Sequence, residues 1–209
     1  MKILKKPFLN QLLTKLRDKK TPYYVFRQTL KKMGIFMAYE IANDLEYREI
    51  KIRTPLSEAS GFAMADNVVL IAILRAALPF VEGFLEVFEQ ARIGIVAARR
   101  IENQKSLEFN VEIEYKNIPE IIDNIVIIPD PMLATGSTIL ATLRELFKMG
   151  WPRKTIVCSV IATKYGIDRI LSKYPQIIIY TASIDKELNS KGYIIPGLGD
   201  AGDRAFGTL

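Results

Sequence analysis

The sequence contains no histidine and a single cysteine, Cys158. Histidine is the side chain that most readily gains and loses a proton near neutrality, and it is the commonest metal ligand. Its absence, together with only one thiol, excludes Cys/His zinc sites, Cys–His nucleophiles and Ser-His-Asp triads. Cys158 cannot close an internal disulfide and lies in the apolar run Ile156-Val157-Cys158-Ser159-Val160-Ile161, where core packing is expected. Long apolar stretches are missing too. The longest, Val68 to Leu74, is seven residues and stops at Arg75, against the ~20 needed to span a bilayer. The basic N-terminal residues are followed by no signal-peptide core, so a cytoplasmic protein is expected. Chemistry is left to carboxylates, Lys and Arg, backbone dipoles and a cation such as Mg2+. That inventory suits phosphate chemistry.

What is present is ordinary for a globular chain. At 209 residues, 49% of them hydrophobic, it can build one domain with a full core. Charge is uneven: residues 1–32 hold ten basic residues against the lone acid Asp18, an excess larger than the +6 of the whole chain. Such an end can bind nucleic acid or an anionic ligand, or simply be a solvated face. Helical spacing of Phe8, Leu9, Leu12, Leu13 and Leu16 predicts an amphipathic helix over 8–20, and a longer one follows from Tyr23 to Ala42. Glu46–Thr54 alternates as an edge strand or hairpin arm, Asn67–Leu74 reads as a buried strand, Arg75–Pro79 as its loop and Phe80–Glu89 as a helix. Ile93–Ala97 and Leu107–Tyr115 read as strands which, with the polar turn Glu102–Ser106, make residues 92–116 a candidate β-hairpin arm. Thr155–Thr163 and Ile177–Tyr180 are further strands, separated by a short helix at Gly166–Leu171. Strands alternating with helices indicate α/β architecture with a mainly parallel sheet.

The most informative stretch is Ile121–Gly150. The β-branched run Ile125–Ile128 predicts a buried strand, Pro129-Asp130-Pro131 a sharp exit, and Ala134-Thr135-Gly136-Ser137-Thr138 a small, hydroxyl-rich loop. A helix then carries Ile139, Leu140, Leu143, Leu146 and Phe147 inward and ends at Gly150. Strand, small-residue loop and helix N-terminus is a layout that binds phosphate through free backbone N–H groups and the helix dipole. It is equally the layout of a capped helix after an Asp turn. Arg75, directly after a buried strand, either reaches water or serves an anion at the strand's carboxyl end. The pair Arg99-Arg100 offers the same choice. The tail, Gly192 to Thr208, has the glycine content of a loop but too many apolar and charged residues for a frayed end.

Three motifs carry a resemblance. Asp130-Pro131-Met132-Leu133-Ala134-Thr135-Gly136-Ser137 resembles the phosphoribosyl-diphosphate (PRPP) loop DPMLATGGS of uracil phosphoribosyltransferases, with Ser137 in place of the second glycine. Ile73-Leu74-Arg75-Ala76-Ala77-Leu78 resembles that family's ILRAGL, with Ala77 for glycine and Pro79 following. Gly192 to Thr208 resembles its ending YIVPGLGDAGDRLFGT almost residue for residue. The three occur in the family's order and point to an archaeal or related member. The resemblance implies a type I phosphoribosyltransferase fold in one domain of residues 1–209, with N-terminal helices over 1–45 at an oligomer interface and a uracil-binding hood over 180–209. It implies PRPP contacts from Arg75, Asp130, Pro131, Met132, Leu133, Ala134, Thr135, Gly136, Ser137, Thr138 and Asp200, and from Arg100 or Arg99. The family's second PRPP arginine comes 25 positions after the first, which favours Arg100. Uracil would meet backbone groups at Ile194, Gly199, Asp200 and Ala201, and Arg75, Asp130 and Asp200 would be the catalytic residues. Mg2+ is expected to come with the diphosphate rather than on a direct protein ligand. GTP regulation, as in some relatives, would fall on Val25, Phe26, Arg27, Gln28 and Thr29 and the basic segment before them. The expected activity is conversion of uracil and PRPP to UMP and diphosphate. The alternative is a non-catalytic PRPP- or UMP-sensing regulator that binds RNA.

Overall fold

The structure, a computed structural model, describes residues 1–101 and 109–208. The chain opens with β1 (Lys2–Ile3), then α1 (Pro7–Arg17), which starts on proline, where the missing N–H is no loss, and buries Leu9, Leu12, Leu13 and Leu16 on one face. Next come α2 (Tyr23–Ala42), β2 (Tyr47–Arg53) and β3 (Glu58–Met64). β2 and β3 pair antiparallel in a sheet of their own, a separate hairpin at 47–64.

β4 (Val68–Leu74) leads into α3 (Leu78–Leu85). This helix begins two residues earlier than its periodicity indicates, because Pro79 falls in the first turn, where proline is tolerated. β5 (Arg92–Ile101) and β6 (Asn110–Asn117) pair antiparallel at the edge of the main sheet; Arg92–Ala97 of β5 also pair with β4, while Ala98–Ile101 run on beyond it with β6 alone. The turn at Glu102–Ser106 and the strand start at Leu107 lie outside the described residues. β7 (Ile125–Pro129), β8 (Met132–Leu133), α4 (Ser137–Met149), β9 (Lys154–Thr163), α5 (Lys164–Lys173) and β10 (Ile178–Asp185) follow. The tail holds β11 (Glu187–Leu188), β12 (Ile194–Ile195) and a short helix, α6 (Ala201–Phe206), where a loop was expected. The Asp200 carboxylate makes that helix possible by accepting the Asp203 N–H at its N-cap.

The main sheet runs β1-β10-β9-β7-β4-β5-β6, with β8 also on β9; apart from β5–β6 its pairings are parallel. Alternation along β4 explains the two cores: Val68, Leu70 and Ala72 face α1–α3, while Val69, Ile71 and Ile73 face the opposite layer with α4 and α5. The α2–α3 crossing is close enough that a Cβ on Gly83 would lie 2.1 Å from the Lys31 carbonyl oxygen.

Two arginines bind the tail to the body. Arg17 forms a bidentate pair with the buried Asp185 (2.6 and 2.7 Å) and donates to the Gly197 carbonyl at 2.9 Å, while the Gly197 N–H donates back to Asp185 at 2.9 Å. Burial works against ionising Asp185, but Arg17 and the Gly197 N–H outweigh it and hold the carboxyl below its ordinary range. Buried Arg204 lies over the Phe26 ring, and donates to the carbonyls of Leu16, Leu198 (2.7 Å) and Asp18 (2.6 Å). It thereby caps the carbonyl end of α1 with a residue from α6. Arg204→Met strands these carbonyls and is expected to cost on the order of 2–3 kcal/mol in urea unfolding; a loss below about 0.5 kcal/mol would mean the tail is held by other contacts.

Candidate active site

The carboxyl ends of β4 and β7 open onto a cavity of about 680 Å³, within the range of small-molecule sites. It is lined by Asp130, Met132, Ala134 and Thr138, by Ile73, Leu74 and Ala76 from the end of β4, and by Ala98, Arg100 and Phe109 from the β5–β6 side. Ser190 to Tyr193 and Gly199 to Gly202 close it from the tail side. A smaller recess adjoins it, lined by Leu133, Gly136, Ser137 and Ile139 together with Arg100, Asp130 and Thr138.

Local rules build the recess. Asp130 leaves β7 with its N–H on the Cys158 carbonyl (2.9 Å), so the strand pairing carries its carboxylate to the carboxyl end of the sheet. The Pro131 carbonyl accepts from the N–H groups of Val160 and Ile161, which turns the chain down toward β8. Gly136 takes φ +76° at the N-cap of α4, a conformation that L side chains rarely adopt, and Ser137 then begins the helix. The first-turn N–H groups of α4 face the recess with no helical acceptor of their own. Desolvation pushes the Asp130 carboxyl up to about 6; the Met132 N–H and the Arg100 charge pull the other way and only partly offset it.

The expected site residues separate clearly. Asp130, Met132, Ala134, Thr138, Arg100, Gly199, Asp200 and Ala201 line the cavity, and Leu133, Gly136 and Ser137 line the recess. The side chains of Pro131 and Thr135 are not part of either lining; the Thr135 hydroxyl donates to Ser137 Oγ at 3.1 Å. Of the two adjacent arginines, Arg100 points to the cavity and stacks on Phe109 at 5.2 Å, whereas Arg99 is ion-paired on the other face with Glu112 and Glu114. Arg75 turns away from the cavity to the rim, ion-paired with Asp203 at 2.9 Å and 5.8 Å from the Phe206 ring. Ile194 lies in β12 opposite Leu188, one residue beyond the lining Tyr193.

The candidate GTP segment lies along the start of α2. Phe26 and Thr29 are buried, Thr29 bonding back to the Val25 carbonyl, because they fall on the core stripe of α2. Arg27 donates to the Ala205 carbonyl, and Gln28 is exposed. Much of the basic N-terminus is likewise engaged: Lys2 with Asp44, Lys6 with Glu40, Lys31 with Glu86, and Arg17 as described. Sequence reasoning passed over Phe109, which pairs with nothing recognisable until the fold brings it to Arg100. It also passed over Thr163 and Arg169, whose hydrogen bonds to the loop span 29 to 34 residues.

The model of the family described as "Uracil phosphoribosyltransferase" matches residues 3–208. The chain belongs to the uracil phosphoribosyltransferase family. It is 50% identical over 204 residues to the uracil phosphoribosyltransferase of Pyrococcus furiosus, covering 96% of this chain and 87% of that one. With the Pyrobaculum islandicum uracil phosphoribosyltransferase it shares 46% over 211 residues, 100% of this chain and 99% of the relative. A solved Aquifex aeolicus protein superposes with TM-score 0.92 at 36% identity, over 98% and 97% of the two chains. A Staphylococcus aureus hypoxanthine phosphoribosyltransferase (TM-score 0.51, 10% identity, 76% and 74% covered) shares the fold alone. The fold is thus that of type I phosphoribosyltransferases, and the RNA-binding regulator finds no support among these relatives.

In this uracil phosphoribosyltransferase fold the raised Asp130 carboxyl has a sign that can be checked. The folded chain holds the proton up to about pH 6, the unfolded chain only to about 3.9. Between those values the folded state binds more protons, so this group makes stability fall as pH rises, and its cost is fully present above the folded value. Asp130→Asn removes the cost. Relative to wild type, its unfolding free energy should improve on the order of 1–3 kcal/mol between pH 4 and pH 7; a pH-independent difference would show that the carboxyl is well solvated.

Proposed function

We propose that this enzyme transfers the phosphoribosyl group of PRPP to uracil, releasing diphosphate and UMP in pyrimidine salvage. One observation carries the proposal: the recess at the N-terminus of α4 adjoins the cavity that Gly199–Ala201 line, and the two share Asp130 and Arg100. The 5′-phosphate lies in the loop from Met132 to Thr138, and Asp130 accepts hydrogen bonds from the ribose hydroxyls. The acceptor–donor–acceptor edge of uracil meets main-chain N–H, C=O and N–H groups around Ile194 and Gly199 to Ala201. Cytosine presents mismatched donors there, and buried unpaired groups discriminate strongly.

The N1 of uracil attacks C1 of PRPP, and the C1–O bond to diphosphate breaks with its electron pair leaving on the diphosphate. Positioning the two substrates in line and neutralising the departing charge supply the rate. Arg100 faces that charge directly. Arg75 joins it by leaving Asp203 at the rim. Asp130 and Asp200 are hard oxygen donors that would hold Mg2+ through its water shell, and the ion would lower the charge of the leaving diphosphate. With no histidine, the N1 proton goes to Asp200, to water or to the diphosphate. One Asp200 oxygen already serves as the α6 cap.

The setting belongs to the same proposal. The enzyme works in the cytoplasm as a homo-oligomer. The β2–β3 hairpin pairs only with itself among the described residues and exposes Phe62 and Leu56. A lone two-stranded sheet is marginal in water, so a second copy is its natural cover alongside α1 and α2. A GTP effect would act through Arg27 and Gln28, since Arg27 touches α6 directly.

The test is UMP formation from uracil and PRPP with Mg2+, with and without GTP, and with cytosine, orotate and hypoxanthine offered instead. Turnover of uracil alone is expected. Arg100→Ala and Arg75→Ala should each lower kcat/KM on the order of 10²–10³. Uracil left unconverted, or another base preferred, would refute the assignment, and a loss under threefold would remove that arginine from the site.

A further inference from the structure

We infer that Thr163 and Arg169, which belong to β9 and α5 and do not line the recess, are positioning residues that aim its backbone donors at the phosphate. The inference rests on the phosphate-binding reading of the loop and adds what makes the loop competent. Thr163 Oγ1 donates to the Ala134 carbonyl at 2.6 Å and accepts the Gly166 N–H at 3.0 Å, so its proton is committed to the loop and a lone pair to α5. Arg169 Nη1 donates to the Thr135 carbonyl at 2.7 Å and to Ser137 Oγ at 3.0 Å. The helix is pressed against the loop to allow this: a Cβ on Gly166 would lie 2.3 Å from the Ala134 carbonyl oxygen.

The consequence follows from peptide geometry. Both peptide bonds concerned are trans, and in a trans peptide the C=O and the N–H point in opposite directions. Holding the Ala134 carbonyl toward Thr163 turns the Thr135 N–H to the other side. Holding the Thr135 carbonyl toward Arg169 does the same for the Gly136 N–H. No acceptor among the described residues meets either N–H. Two free donors beside the N-terminus of α4 are what an anion requires. A released carbonyl could rotate its oxygen toward the phosphate and repel it. Ser137 gains as well: its Oγ accepts from Arg169 and from Thr135 Oγ1 at 3.1 Å, which leaves its own O–H to donate elsewhere. Arg169 thus gives the serine at this position a fixed orientation and a cation behind it.

The test is calorimetric binding of UMP and of uridine to the full chain, because the two ligands differ only by the phosphate. Thr163→Val and Arg169→Met should each weaken UMP about tenfold or more, in the range found when residues behind a ligating group are removed. Uridine affinity should change less than twofold. In turnover, KM for PRPP should rise while KM for uracil holds, and Thr163→Ser, which keeps the hydroxyl, should restore UMP binding. Thermal melts check folding; if Thr163→Val does not fold, the half-buried Arg169→Met carries the comparison. UMP affinity within twofold of wild type, or equal losses for UMP and uridine, would overturn the positioning role. A wild-type protein that binds UMP no better than uridine would instead refute the phosphate reading of the loop, and the inference with it.

Discussion

A ligand site made largely of main chain works only if its carbonyl oxygens are turned away, and side chains in the layer behind this site take them up. Thr163 and Arg169 hold the carbonyls of Ala134 and Thr135. Arg17 holds that of Gly197, and Arg204 that of Leu198 together with two at the end of α1. The N–H groups left facing the cavity are then fixed before any ligand arrives, and little reorganisation remains for the reaction itself. The same bonds join loops that are far apart in sequence, so folding and pre-organisation are here one set of contacts.

That construction compensates for a chain without histidine. In the proposed reaction, charge neutralisation falls to fixed dipoles and arginines, and the N1 proton to Asp200, water or the diphosphate. The cost shows at Asp130, where desolvation pushes the carboxyl up to about 6. A half-buried carboxylate in a ligand-sized cavity is a poor choice for stability, and the surrounding sheet, with β7 fully buried, has to support it. Asp185 shows the opposite balance. Its partners outweigh burial because Arg17 meets both oxygens at once.

How much was legible in the sequence depended on the range of the cause. Tyr23–Ala42 is helical over the span its periodicity indicates, and β4, β7, α4 and β9 follow their apolar runs within a residue or two, since burial alone decides them. β3 was missed because Glu58–Met64 has no strong alternation and pairs with a neighbour instead of a core. α6 hid in a glycine-rich tail, although Asp200 with a residue three positions on to donate to it is a capping signal. Arg99 and Arg100 could not be separated without the strand's phase, since adjacent residues face opposite sides. The Asp130–Ser137 loop and the tail are readable as motifs. Their supports are not, because Thr163, Arg169, Arg17 and Arg204 act through contacts with residues far along the chain.

In the proposed reaction one cavity holds a phosphate at the α4 end and a base at the tail end. Amide chemical shifts measured by nuclear magnetic resonance address it directly. Inorganic phosphate should move the Thr135–Thr138 amides, uracil should move those of Gly199–Ala201, and UMP should move both sets together. UMP shifts confined to one set, or centred on the β2–β3 hairpin or the basic N-terminus, would contradict the account.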